Sequence, residues 1–168
     1  MLKIGQTAPS FCALNQDDIE ICSRDLLGKW IVLYFYPKDL TPGCTTQACD
    51  FTEKEAEFDN LDAIILGVSP DDTEKHRKFI EKKELSITLL SDTEKKMCED
   101  YGVWQLKKFM GKEYMGVVRS TFIINPEGNI SAVWEKVNVR KKKTVKGEKI
   151  EILHVNEVKE KLQELQAN

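Results

Sequence analysis

The stretch Trp30-Ile31-Val32-Leu33-Tyr34-Phe35-Tyr36-Pro37-Lys38-Asp39-Leu40-Thr41-Pro42-Gly43-Cys44-Thr45-Thr46-Gln47-Ala48-Cys49 decides the fold. Its first seven residues are apolar or aromatic with no polar break, the pattern of a strand buried on both faces. Pro37 stops that strand. A loop over residues 38–43 leads into residues 44–59, which contain neither Gly nor Pro and carry Ala48, Phe51, Glu55 and Phe58 at helical spacing. Strand, short loop and helix in direct succession are the unit of a layered α/β domain. The unit also places a cysteine, Cys44, in the first turn of its helix.

Working outward, residues 11–14 and 19–22 flank the polar cluster Asn15-Gln16-Asp17-Asp18 and read as an N-terminal hairpin. Ser23 can cap a helical turn over residues 24–27 that Gly28 ends. Downstream, residues 63–69 form a strand, residues 73–83 a helix behind a Thr/Asp-rich cap, and residues 87–90 a short strand. Residues 93–101 are helical and closed by Gly102. Residues 117–124 and 130–137 pair across the tight turn Asn125-Pro126-Glu127-Gly128. Val155, Val158, Leu162 and Leu165 line one face of a last helix. Helices and strands alternating early, with a hairpin late, give a central mixed sheet flanked by helices, for which the thioredoxin-like arrangement is the simplest fold. The chain reads as one domain over 1–168, with a protruding hairpin inserted at about 140–153 and turning near Gly147. The basic run in residues 140–149 reads as the solvated tip of that hairpin.

Composition narrows the function. Of 168 residues, 41% are hydrophobic and 32% charged, the balance of a globular chain. A net charge of -3 gives no footing for nucleic-acid binding. No apolar run is long enough to span a bilayer, and the N-terminal segment lacks a basic start followed by an apolar stretch, so the chain is expected to begin at its own N-terminus and to be cytoplasmic. Five cysteines, Cys12, Cys22, Cys44, Cys49 and Cys98, are an odd set for a disulfide framework and point to reduced thiols.

Cys44 is the thiol with chemistry around it. A helix N-terminus offers unpaired N–H groups and about half a positive charge, which favour thiolate over thiol. Thr41 lies three residues upstream, placed to donate to the sulfur and to accept a hydrogen bond from a small bound ligand. Pro42 and Gly43 set the sharp approach and let backbone come close to a small ligand.

These residues carry a resemblance. Pro37, Thr41 and Cys44 match Pro-x-x-x-Thr-x-x-Cys, the active-site motif of peroxiredoxins, and the string from Tyr34 to Thr45 is similar to the bacterioferritin-comigratory or PrxQ class. Arg119-Ser120-Thr121-Phe122-Ile123-Ile124-Asn125 resembles the family's late strand preceded by an arginine. The similarity runs from about residue 3 to 139 and resumes near residue 154. It implies a thiol peroxidase in which Cys44 becomes a sulfenic acid, Arg119 stabilises the charge, Pro37 walls off the site, and thioredoxin recycles the enzyme. Substrates would be hydrogen peroxide and organic hydroperoxides, with no cofactor and no metal. A monomer or weak dimer is the expected assembly. A resolving cysteine five positions after the first is also a family arrangement, which assigns Cys49, with Cys98 as the alternative. Five helical residues advance about 7.5 Å and turn about 140°, so Cys44 and Cys49 pair only if the helix unwinds over residues 44–50.

The remaining candidates have plainer readings. Cys12, Cys22 and Cys98 fit as packing residues. His76, among Glu74, Lys75, Arg77 and Lys78, reads as solvated surface, His154 as a cap or spacer ahead of the last helix, and Trp104 as packing near the site. Three rivals stand beside the peroxidase. A disulfide reductase needs Cys-x-x-Cys, which is missing. A zinc module would draw on Cys44, Cys49, Cys98 and a histidine, without the usual paired spacing. A peroxide-sensing relay would use the same thiolate without sustained turnover.

Overall fold

The computed structural model describes residues 1–168. Strand β3 (Trp30–Phe35) is the spine, and every one of its residues after Trp30 is buried. It pairs in parallel with β4 (Ala63–Ser69), which pairs in parallel with β5 (Thr88–Ser91). On its other side β3 runs antiparallel to β8 (Ser120–Ile124), itself antiparallel to β9 (Ile130–Trp134). The N-terminal hairpin of β1 (Cys12–Asn15) and β2 (Glu20–Cys22) extends the β5 edge, giving a seven-stranded sheet of order β2-β1-β5-β4-β3-β8-β9. This is the mixed sheet of a thioredoxin-like fold.

Period-2 alternation along β3 divides the core in two. Val32, Tyr34 and Tyr36 face a cluster with Cys44, Ala48, Phe51, Phe58 and Phe79, under helices α1 (Pro42–Asp59), α2 (Thr73–Lys83) and α4 (His154–Gln166). Ile31, Leu33 and Phe35 face the opposite cluster with Cys98, Tyr101, Val103 and Phe122, beside the short helix α3 (Lys96–Asp100). Cys44 and Cys98 therefore lie on opposite faces of the sheet. Trp104, expected to pack near Cys44, packs with the Cys98 cluster on the other face of the sheet.

Two hairpins project from the layers. β6 (Trp104–Phe109) and β7 (Lys112–Val117) are joined by Met110 and Gly111, both in the left-handed region at φ 50° and 81°. The expected strand 117–124 is thus two elements, broken at Val118 and Arg119. β10 (Arg140–Val145) and β11 (Glu148–Leu153) pair across Lys146 and Gly147, where the sequence put the turn. Left-handed conformations at both central residues match the right-handed strand twist of a two-residue hairpin.

Two expectations about this framework are corrected. Cys12 and Cys22, expected to be reduced packing residues, are opposite partners on β1 and β2 and are joined by a disulfide. The hairpin geometry brings their Cα atoms to 4.1 Å, a juxtaposition that an odd cysteine count does not reveal. The basic run is also not wholly a solvated tip: Arg140, at the root of its hairpin, is ion-paired to Asp50 of α1 at 2.6 Å.

Candidate active site

Helix α1 starts two residues earlier than its Gly- and Pro-free run, because Pro42 occupies its first turn with a backbone angle already suited to the helix. Thr45 N–H to Thr41 C=O, at 2.8 Å, is the first bond of the ladder. Pro42 has no N–H, so Gly43 and Cys44 supply the free donors at this terminus. The Cys44 side chain is buried there, against Tyr34 and Ala48 in the α1-side core.

Arg119 comes from the two-residue break between β7 and β8. Its Nη2 lies 3.3 Å from the Cys44 sulfur, and its Nη1 donates to Gln47 Oε1 at 2.6 Å. Gln47 sits one helical turn after Cys44, on the same face. It fixes the guanidinium over the sulfur, a role the sequence reading did not assign although the i, i+3 spacing was visible. A helix N-terminus and a half-buried guanidinium both turn toward one sulfur, which is the arrangement that stabilises developing negative charge. The approach is close: a Cβ on Gly43 would come within 3.2 Å of Arg119 Nη2.

Thr41 is the N-cap residue, and its hydroxyl donates to Lys38 C=O at 2.8 Å. The donor expected to reach the sulfur is thus committed to backbone, and its lone pairs remain as acceptors. Pro37 is half-buried at the end of β3. Between them the chain passes through Leu40 at φ 64°, a left-handed conformation costing on the order of 1 kcal/mol for a non-glycine residue.

What holds that strained loop is a buried polar network. Asp39 Oδ1 accepts from Tyr36 Oη at 2.6 Å, and Asp39 Oδ2 meets His76 Nδ1 at 2.6 Å. His76 Nε2 donates to Leu90 C=O at 3.0 Å. Asp39 N–H donates to Asp71 Oδ2, which also accepts from Ser69 Oγ, each at 2.8 Å. His76 is fully buried, correcting its reading as solvated surface. It shares the inward face of α2 with Phe79 three residues on, while its charged sequence neighbours point outward.

His154 is corrected likewise. It is the first residue of α4 but caps nothing; its Nε2 meets Thr121 Oγ1 at 2.8 Å, and its ring lies edge-on to Trp134 and Phe51. Burial lowers its pKa to about 4, against a smaller opposing pull from Glu157.

Two further thiols are free. Cys49 is half-buried, and burial first, then the neighbouring Asp50 carboxylate, raise its pKa. Cys98 is raised much further, by burial and then by Asp92. Across the sheet from Cys44, Cys98 cannot share a metal shell with it or reach it without the core coming apart. A cavity of about 670 Å³ lies beside the N-terminal hairpin and is lined by Cys12, Asp92 and Met97 rather than by Cys44 or Arg119. A reacting peroxide oxygen needs far less room than that cavity offers.

The AhpC/TSA family model matches residues 4–133. Peroxiredoxin Bcp of Bacillus subtilis (strain 168) is 52% identical over 139 residues, covering 83% of this chain and 88% of that one. Peroxiredoxin Bcp of Escherichia coli (strain K12) is 42% identical over 134 residues, covering 80% and 86%. The solved bacterioferritin comigratory protein of Xanthomonas campestris superposes with a TM-score of 0.83 at 33% identity, covering 97% of this chain and 99% of that one. The fold and site define a thioredoxin-fold peroxidase that works through sulfur. The chain belongs to the AhpC/TSA family, within its Bcp/PrxQ peroxiredoxins, and is a thiol peroxidase that consumes peroxide at the expense of a thiol reductant. No helix is long and apolar enough to cross a membrane.

Proposed function

We propose that Cys44 is the peroxidatic cysteine, Cys49 the resolving cysteine, and thioredoxin the reductant. The Cys44 thiolate attacks the terminal oxygen of a hydroperoxide; the S–O bond forms as the O–O bond breaks. Sulfur is oxidised by two electrons to a sulfenic acid, and the leaving oxygen departs as hydroxide or alkoxide and takes a proton from solvent to become water or an alcohol. Arg119, held by Gln47, stabilises charge on the sulfur and then on the leaving oxygen. The Thr41 hydroxyl accepts a hydrogen bond from the peroxide, and Pro37 screens the site from bulk water. The observation that carries this reading is the 3.3 Å approach of Arg119 to the Cys44 sulfur at a helix N-terminus.

The Cys49 thiolate then attacks the Cys44 sulfur, expels the sulfenic oxygen as water, and leaves a disulfide that a dithiol reduces. Because α1 is continuous through both cysteines, residues 44–50 must unwind first. Hydrogen exchange across that segment should rise after one equivalent of peroxide; unchanged exchange would exclude the unwinding. Organic hydroperoxides are proposed as substrates beside hydrogen peroxide, supported by the alkyl peroxide reduction named for the Xanthomonas campestris relative. We read residues 1–168 as a single domain, a monomer or weak dimer in the cytoplasm, with the β10–β11 hairpin as an insertion.

Steady-state peroxide reduction with thioredoxin and its reductase tests the assignment. Cys44→Ser should be inactive. Cys49→Ser should lose thioredoxin-linked turnover while still forming a sulfenic acid, and Cys98→Ser should turn over normally. Consumption of a single equivalent by wild type, without turnover under this reductant, would favour the sensing relay for this partner.

A further inference from the structure

Asp50, the residue after Cys49, is 3% exposed on α1. Its carboxylate is held from outside the helix by Arg140: Nη2 donates to Oδ1 at 2.6 Å and Nε to Oδ2 at 3.2 Å, a two-point fork on one carboxylate. Arg140 begins β10, and its Nη1 reaches Glu151 of β11 at 3.4 Å. The base of that hairpin is itself fixed, because His154 N–H donates to Val139 C=O and Lys141 Nζ reaches Glu157 of α4 at 3.3 Å. The hairpin lies beyond the residues that the family model matches, yet it contacts the helix beside the second cysteine.

Asp50 also marks a join within α1. After it the helix is pinned: Phe51 stacks on Tyr34 with ring centroids 4.7 Å apart, Phe58 is buried, and Glu57 takes a 2.8 Å bond from Lys159 of α4. Before it lie the turns that must open if Cys49 is to meet Cys44. Resting on the reading of Cys49 as the resolving thiol, we infer that Arg140 is a positioning residue for the resolving step, its hold on Asp50 setting how readily the first turns of α1 open.

Two substitutions separate this hold from simple packing. Arg140→Gln leaves a buried carboxylate without its fork, and Asp50→Asn removes the charge that the fork grips; both loosen the join. Their effects on Cys49 are opposite. Its thiol feels Asp50 on its own helix, Lys83 at the end of α2 and Arg140 on β10, and it is coupled to the buried Tyr34. Glu53 and Glu151 stand close to the guanidinium. Losing Arg140 leaves only Lys83 to offset Asp50 and makes Cys49 harder to ionise; losing the Asp50 charge makes it easier.

The test is rapid-quench kinetics on the full chain after one equivalent of hydrogen peroxide, following sulfenic acid and the Cys44–Cys49 disulfide separately across pH. Sulfenic acid formation should keep its wild-type rate in both variants. Disulfide formation should reach a plateau about tenfold faster or more in both, the scale of losing a charge-assisted hydrogen bond. Its pH midpoint should rise in Arg140→Gln and fall in Asp50→Asn, with Arg140→Lys near wild type. Plateaus and midpoints equal to wild type, or slower resolution in both variants, would overturn the role of Arg140. If wild type forms no Cys44–Cys49 disulfide at all, the assignment of Cys49 fails first. Asp50→Asn keeps side-chain shape, so the comparison survives if Arg140→Gln fails to fold.

Discussion

Gly43 lies against the Arg119 guanidinium, where a Cβ would stand 3.2 Å from Nη2, so the residue before Cys44 limits how the cation sits over its sulfur. Gly43→Ala should push the guanidinium off Cys44 and slow peroxide reduction by roughly tenfold with the fold intact, since small misplacements at a reacting centre are costly. Arg119→Ala should cost on the order of 100-fold, the scale of losing a preorganised charge donor. Stopped-flow peroxide consumption measures both, and a Gly43→Ala rate equal to wild type would show that the contact is not needed.

His154 makes stability depend on acidity. Its folded pKa of about 4 lies below the ordinary 6.5, so between those values the unfolded chain binds a proton that the folded protein refuses. Stability should be unaffected by this residue above pH 6.5 and should fall as pH drops through the window toward 4, by up to about 3 kcal/mol. Urea midpoints at pH 7 and pH 5 should differ more for wild type than for His154→Gln. Equal differences would mean the imidazole is not what titrates.

Replacing His76 by leucine leaves the buried Asp39 carboxylate with the Tyr36 hydroxyl as its remaining side-chain partner. Breaking a buried pair in this way costs roughly 3 kcal/mol. Thermal unfolding should show the loss, and because Asp39 precedes the strained Leu40, peroxide reduction should slow as well. A variant of unchanged melting temperature would place the Asp39–His76 contact outside the stabilising network.

The Cys12–Cys22 disulfide closes a loop over a sequence separation of 10. Its loss in the Cys12→Ser/Cys22→Ser double variant should cost about 2–3 kcal/mol by loop-closure entropy. Turnover should not change, because Cys44 and Cys49 lie elsewhere. Lost peroxide turnover in a folded double variant would give this pair a part in the chemistry.

Much of this architecture is written in local pattern. The apolar run from Trp30 to Tyr36 is a buried strand because nothing polar interrupts it, and Lys146-Gly147 is a hairpin turn because glycine accepts the left-handed second position. The same signal was present at Met110-Gly111, but exposed Leu106, Phe109 and Tyr114 among lysines obscured the alternation, and β6–β7 went unread. Thr41 and Cys44 stand out as candidates by residue type and spacing, and Arg119 through the resemblance alone. Gln47, Asp39, His76 and the Arg140–Asp50 pair do not, since each depends on what another segment brings against it. His76 shows this plainly: its neighbours in sequence are charged, and its neighbours in space are Asp39 and Leu90.

If Cys44 is the sulfur that meets peroxide, chemical trapping marks it alone. Cys49→Ser protein treated with one equivalent of hydrogen peroxide and a sulfenic-acid trapping reagent, then digested and mass-mapped, should carry the adduct on the peptide holding Cys44 and nowhere else. An adduct on Cys98, or an unlabelled Cys44 while peroxide is consumed, would contradict that role.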